Sequence, residues 1–233
     1  MFFPERIKSI KPNDKVLEIG PGATPFHRSN VFLELEFETE QERVAQSGHT
    51  GVLKTEKKII YYDGGKFPFK DNEFDYVICS HVLEHVDDIP FFIKELQRIS
   101  KKGYLEFPNI YYDYLHNIEE HLNMLLVKDN TIHWCKKTDT PIPNLVEFTN
   151  FFRTLQHKNF RFQNTINSLW HQGFEWENTI KIKEVKDWKL LTYSIKELDN
   201  IIPLEKLHST PVPLGLKASI KSLLKAIKRK IIK

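Results

Sequence analysis

Apolar residues come in short runs through the first half of this chain, separated by polar stretches marked with glycine or proline. Val16-Leu17-Glu18-Ile19 is an apolar run with one acid, and Gly20-Pro21-Gly22 follows at once. That pattern predicts a buried parallel strand over 15–19 turning sharply into a loop. Residues 31–37 alternate apolar and acidic side chains, so they predict a second strand with one face toward the core. Ile59-Ile60-Tyr61-Tyr62 predicts a third, ending at Asp63-Gly64-Gly65. Residues 74–80 and 104–107 read as a fourth and fifth strand. Between them, Pro90 opens a run over 91–99 with apolar residues at helical spacing.

The rest of the chain is less regular. Residues 4–13 predict a short helix or turn, and 38–57 a loop or irregular helix. Two apolar-rich runs, 121–127 and 131–136, flank Asp129-Asn130 and predict a hairpin, which would bring His121 and His133 close together. Residues 144–157 read as a helix. Phe174-Glu175-Trp176 and Ile180-Lys181-Ile182 predict a late strand or hairpin, antiparallel in sense. This gives a main domain over 1–183 and a C-terminal extension over 184–233.

Composition narrows the class. At 233 residues, 40% hydrophobic and 12% aromatic, the chain can bury one sizeable core and is not of the disordered type. The net charge of +3 is uneven: residues 217–233 carry +7 and no acid, leaving −4 on residues 1–216. A body of that sign disfavours a general nucleic-acid-binding surface. In the tail, Leu216, Ile220, Leu223, Leu224, Ile227 and Ile231 share one helical face and basic residues the other. A basic amphipathic helix over about 214–233 suits an anionic membrane surface, a partner groove or the chain's own domain. The two cysteines, Cys79 and Cys135, have no metal spacing, and a reducing cytoplasm suits them. Proline and charge interrupt the N-terminus immediately, so no signal peptide is expected. The expected location is the cytoplasm, with the tail as a peripheral contact to the inner face of the membrane.

The strand ends carry the candidate chemistry. Gly20 and Gly22 let backbone approach a ligand closely, across the carboxyl end of the first strand. Glu18 there either accepts from a ligand ammonium or caps the N–H groups of its own loop. Glu34, with Glu36 in reserve, stands where an acid accepts both ribose hydroxyls of an adenosine; a solvated strand face is the alternative. Asp63 can accept from an adenine amine or simply close an Asp-Gly turn. After the fourth strand come Ser80-His81-Val82-Leu83-Glu84-His85. His81, Glu84 and His85 lack the second acid and third ligand of a zincin-like site, so no metal is expected from them. Tyr111, Tyr112 and Tyr114 line an acceptor pocket or pack in the core.

Taken in order, the Glu-x-Gly-x-Gly loop, the two strand-terminal acids and His-Val-Leu-Glu-His resemble the class I S-adenosylmethionine (SAM)-dependent methyltransferases. The similarity is closest to the branch carrying a methyltransferase domain 11-like signature, and runs over about 15–109. It implies a Rossmann-like, seven-stranded, mostly parallel sheet with helices on both faces and an antiparallel last strand, followed here by the C-terminal helical extension. It also implies SAM as cofactor: Glu18, Gly20, Pro21 and Gly22 at the methionine moiety, Glu34 at the ribose, Asp63 and Gly64 at the adenine. Ser80, His81 and Glu84 would border cofactor and acceptor. Thr24 replaces the third glycine of many relatives, and the Gly22–Glu34 segment is too short for a full first helix. The expected acceptor is a hydroxyl on a small molecule or glycan, with His85, His81 and His121, in that order, as candidate bases. An RNA or protein methyltransferase, and a non-catalytic module of the same fold, are the competing readings. A nicotinamide enzyme is disfavoured by the missing third glycine.

Overall fold

A computed structural model describes residues 3–47, 51, 53–146, 149, 170–194 and 197. One compact unit spans Met1–Thr192; a second, Tyr193–Lys233, contains the basic tail and lies almost wholly outside the described residues. Most of the helix predicted at 144–157 also lies outside them.

The elements follow the hydrophobic pattern closely. Strands β1 (Val16–Ile19), β2 (Val31–Leu35) and β3 (Lys58–Tyr62) flank helix α1 (Glu40–Ser47) in sequence, and β4 (Tyr76–Ser80) follows. Helix α2 (Ile89–Ile99) leads to β5 (Lys102–Pro108), α3 (Ile110–His116) and the pair β6 (Asn123–Lys128) and β7 (Thr131–Lys136). Strands β8 (His171–Glu177) and β9 (Lys181–Glu184) complete the described set.

The main sheet has the order β3-β2-β1-β4-β5-β8. Its first five strands are parallel and β8 runs antiparallel to β5. The topology is the doubly wound one expected, with six strands among the described residues in place of seven. Strand order reverses between β1 and β4, which opens a crevice at their carboxyl ends. Every residue of β1 and β4 is buried, as centrally placed parallel strands require.

One face of the sheet buries Leu17, Ile19, Leu33, Val77, Cys79 and Leu105 against α2. That helix starts at Asp88, whose carboxylate accepts from the Phe91 amide at 2.9 Å, with Pro90 in its first turn. Both features favour initiation there. It buries Ile89, Phe92, Ile93, Leu96 and Ile99, each contributing roughly 1.5–3 kcal/mol. Glu95 and Arg98 on α2 clamp the preceding loop. Glu95 accepts from the Phe67 amide and from Arg98, which also donates to the Phe67 and Phe69 carbonyls. On the other face, Val16, Tyr76, Ile78 and Tyr104 pack against Ile7, Ile10 and Phe26, so the N-terminal segment is a cover. Only Pro4–Arg6 of that segment is helical, as a single 3-10 turn.

Strands β6 and β7 form the predicted hairpin. Asp129 and Asn130 both take positive φ, 48° and 53°, as a two-residue turn matched to strand twist requires. Its register corrects one expectation: Leu126 faces His133 and Asn123 faces Lys136, so His121 lies beyond the opposite end of the ladder from His133. Of the late strands, β8 is the expected antiparallel strand of the main sheet, while β9 pairs parallel with β7 in a separate three-stranded sheet, so the hairpin alternative is not the one adopted. That small sheet contributes Leu125, Ile132 and Trp134 to the main core.

Candidate active site

A cavity of about 710 Å³ opens at the carboxyl ends of β1 to β4, within the size range of small-molecule sites. Gly20 and Gly22 line it, both in left-handed backbone at φ 60° and 56°. A side chain at Gly20 would put its Cβ 2.6 Å from a Val82 methyl. Glycine is therefore needed both for the turn and for packing against the β4 loop. Glu34, Glu36, Asp63 and Gly64 border the same cavity from β2 and β3. Glu34 is half-buried, and desolvation pushes its carboxyl above the usual range. Asp63 is exposed, and one of its oxygens accepts from the Gly65 amide at 2.9 Å. His81, His85 and the loop to Asp88 close the far side.

Four predicted cofactor residues, Glu18, Pro21, Ser80 and the buried Glu84, do not line this cavity. Glu18 is 2% exposed and does not line the cavity; its Oε2 accepts from the Phe26 amide at 2.9 Å and the Ser29 hydroxyl at 2.7 Å. A buried carboxylate takes donors wherever it finds them, and here the loop supplies them, so Glu18 positions the glycine loop. Ser80 is turned inward, donating to Glu106 Oε1 at 2.8 Å. Pro21 is buried within the loop. The glycines, Glu34, Asp63, Gly64 and His81 do share one crevice.

The β4 side holds a denser polar cluster. His81 adopts φ 59°, a conformation costly for a residue with a side chain and common at functional sites. Its Nδ1 lies 3.3 Å from Glu84 Oε1 and its Nε2 3.4 Å from Glu106 Oε1. Burial opposes its protonation, but those two carboxylates outweigh burial and raise its pKa. Glu84 is 1% exposed; burial resists its ionisation, yet His81, His85 and His121 hold its pKa down at about 2. His85 Nδ1 meets the Glu120 carbonyl at 3.0 Å, and burial lowers its pKa, so it is neutral near pH 7. His121 Nδ1 meets both oxygens of Asp113, at 3.0 and 2.9 Å. Burial lowers and the Asp113 carboxylate raises its pKa, with a net rise.

The rings of His85 and His121 meet edge to face, 4.9 Å apart. His85 lines the first cavity, and His121 a second of about 700 Å³ walled by Asn117, Glu119, Glu120, Lys136 and Lys137. Tyr112 stacks on His116 and approaches His121, while the Tyr114 ring lies near Trp188. The sequence reading missed Asp113 and Glu106. Glu106 offered a signal, an acid inside the apolar run 104–107; Asp113 offered none, because a helix end separates it from His121.

This is a Rossmann-like, doubly wound fold with a crevice at the carboxyl ends of its central parallel strands. Residues 17–106 match the family model described as Methyltransferase domain. The chain is similar to an uncharacterised protein of Methanocaldococcus jannaschii, 31% identical over 100 residues that cover 42% of this chain and 45% of that one. It is also similar to the demethylmenaquinone methyltransferase of Geobacillus stearothermophilus, 28% identical over 109 residues covering 41% and 47%. Among solved structures, a SAM-dependent methyltransferase of Thermotoga maritima matches at 26% identity and a TM-score of 0.31, over 46% of this chain and 49% of that one. The matched span is thus about half the length of these relatives.

Proposed function

We propose that the chain is a SAM-dependent methyltransferase acting on a hydroxyl of a small-molecule or glycan acceptor. The observation that carries this reading is the single crevice shared by two left-handed glycines and two strand-terminal acids. The glycines leave bare backbone for a methionine moiety, Glu34 is set for the ribose, and Asp63 with Gly64 for the adenine. Bound there, the cofactor supplies an already activated, electrophilic methyl group. The protein's share is to hold an acceptor oxygen in line, which can supply on the order of 7–11 kcal/mol, and to take up its proton.

The polar side chains along the second cavity, Asn117, Glu119, Glu120, Lys136 and Lys137 among them, support an acceptor that carries hydroxyls. The histidines between the cavities support proton removal. With Nδ1 of each ring engaged by a carbonyl or a carboxylate, Nε2 is the nitrogen that carries the lone pair in the neutral ring. His85, neutral near pH 7, is the preferred base and His121 the second choice. His81 sits between two carboxylates that raise its pKa, so it serves better as a positioning residue.

The test is transfer of label from methyl-tritiated SAM into fractionated extract of the source organism. Uptake into the small-molecule or glycan fraction is expected. Uptake into RNA or protein alone would overturn the acceptor class, and SAM binding without uptake anywhere would favour a non-catalytic module.

A further inference from the structure

Glu84, His85 and His121 present one ligand atom each within 4.8 Å of one another. Among the described residues no donor meets either Glu84 oxygen with good hydrogen-bond geometry, although the side chain is 1% exposed, and the imidazoles around it supply its compensation. A buried carboxylate so weakly paired is costly, and the imidazole nitrogens within ion-pair distance of its Oε1 are His81 Nδ1 at 3.3 Å and His85 Nε2 at 4.0 Å. The two imidazoles are oriented alike, each with Nδ1 on an oxygen: the Glu120 carbonyl for His85, the Asp113 carboxylate for His121. Oxygen acceptors at Nδ1 fix the tautomer that leaves Nε2 as a lone-pair donor, the arrangement that surrounds metal-bound histidines.

We propose that Glu84, His85 and His121 bind one divalent transition-metal ion, and that its open coordination position receives the acceptor hydroxyl at the boundary of the two cavities. Two imidazoles and one carboxylate suit zinc, cobalt or iron better than magnesium or calcium, and three protein ligands leave a position for a reacting group. Metal–ligand bonds of about 2.0–2.2 Å space tetrahedral ligands roughly 3.3–3.5 Å apart, so closing the set asks less than an ångström of the 4.0 Å pair and at most about 1.5 Å of any other pair.

Binding of the ion stands on this geometry alone; its part in catalysis rests on the methyltransferase reading. There the ion takes over acceptor activation, and His85 and His121 act as ligands instead of bases. The ion lowers the pKa of the hydroxyl it holds, and the O–H proton passes to solvent. The oxygen then forms the new O–CH3 bond as the S–CH3 bond of the sulfonium breaks, which leaves a neutral thioether.

The test uses the full chain, stripped of metal with a chelator and titrated with Co²⁺ by visible absorption and with Zn²⁺ by calorimetry. SAM is titrated in parallel. One equivalent of ion is expected, with affinity at least tenfold weaker in Glu84→Gln and His121→Ala. Asp113→Asn, which removes no ligand, should weaken it by about 10–100-fold. In the unsubstituted protein, Co²⁺ should shift the imidazole proton resonances of His85 and His121, a readout independent of how the variants fold. Absence of stoichiometric uptake, or shifts confined to other histidines, overturns the proposal. SAM binding without ion uptake would sink this inference and spare the methyltransferase reading; ion uptake without SAM binding would do the reverse.

Discussion

Glu34, Glu36 and Asp63 stand half-buried or exposed at the ends of β2 and β3, whereas Glu84, Glu106 and Asp113 on the opposite wall are at most 2% exposed. The first group finds partners mainly in nearby backbone: the Leu35 amide for Glu34 and the Gly65 amide for Asp63. The second is held by side chains from distant parts of the chain. Ser80, Tyr104 and the Phe3 amide converge on Glu106, His121 turns to Asp113, and His81 leans on Glu84. An open acid at a strand end is available to a ligand and costs the fold little. A buried acid must be compensated in the folded state, so its removal is felt in stability as well as in function. Under the proposed function the wall built by β1 to β3 serves as the binding surface, while the wall built by β4 to β6 is a buried polar network.

That contrast predicts where substitutions will be felt. The largest effect is expected for Glu106→Ala, which strands Ser80, Tyr104 and the Phe3 amide together; loss of about 3–5 kcal/mol in urea denaturation is the expected result. A loss below 1 kcal/mol would mean the β4 side is not a cooperative network. Next comes Gly22→Val. A β-branched residue in left-handed backbone costs about 1–2 kcal/mol, and its side chain enters the cavity, so SAM affinity should fall about tenfold or more by calorimetry.

Glu34→Gln should weaken SAM by about tenfold, the worth of one charged hydrogen bond, and should also change how stability responds to pH. The folded protein raises this carboxyl, so folding favours its protonated form. The stability that follows is present below the ordinary carboxylate value, about 4.3, and is lost as pH rises through the raised one. The melting temperature of the unsubstituted protein should carry that loss and the variant should lack it. Asp63→Asn is expected to matter least, because asparagine keeps the oxygen that accepts from Gly65: less than tenfold in SAM affinity, and stability within about 0.5 kcal/mol.

The sequence disclosed the β1–β3 wall far better than the other. Strands β1 to β4 and helix α2 announce themselves by period and by the glycines and proline beside them, and Asp129-Asn130 marks its hairpin by turn chemistry. The acids Glu34 and Asp63 were found because strand ends are visible in a sequence. The network was not visible, since it depends on pairings across the chain: Glu106 with Phe3, 103 residues apart, and Leu122 with Glu84 through the backbone. The role of Glu18 turned on whether the loop offers donors of its own, which only the folded loop decides. Likewise the hairpin alternative for β9 gave way because β7 offered it an unpaired edge in another sheet.

Calorimetric titration of the full chain with SAM, beside Gly22→Val and Glu34→Gln, tests the central claim most directly. One equivalent of cofactor should bind to the unsubstituted protein, with affinity falling about tenfold or more in each variant while both remain folded. No heat at millimolar SAM, or equal affinity in all three proteins, would contradict the assignment of this crevice to the cofactor.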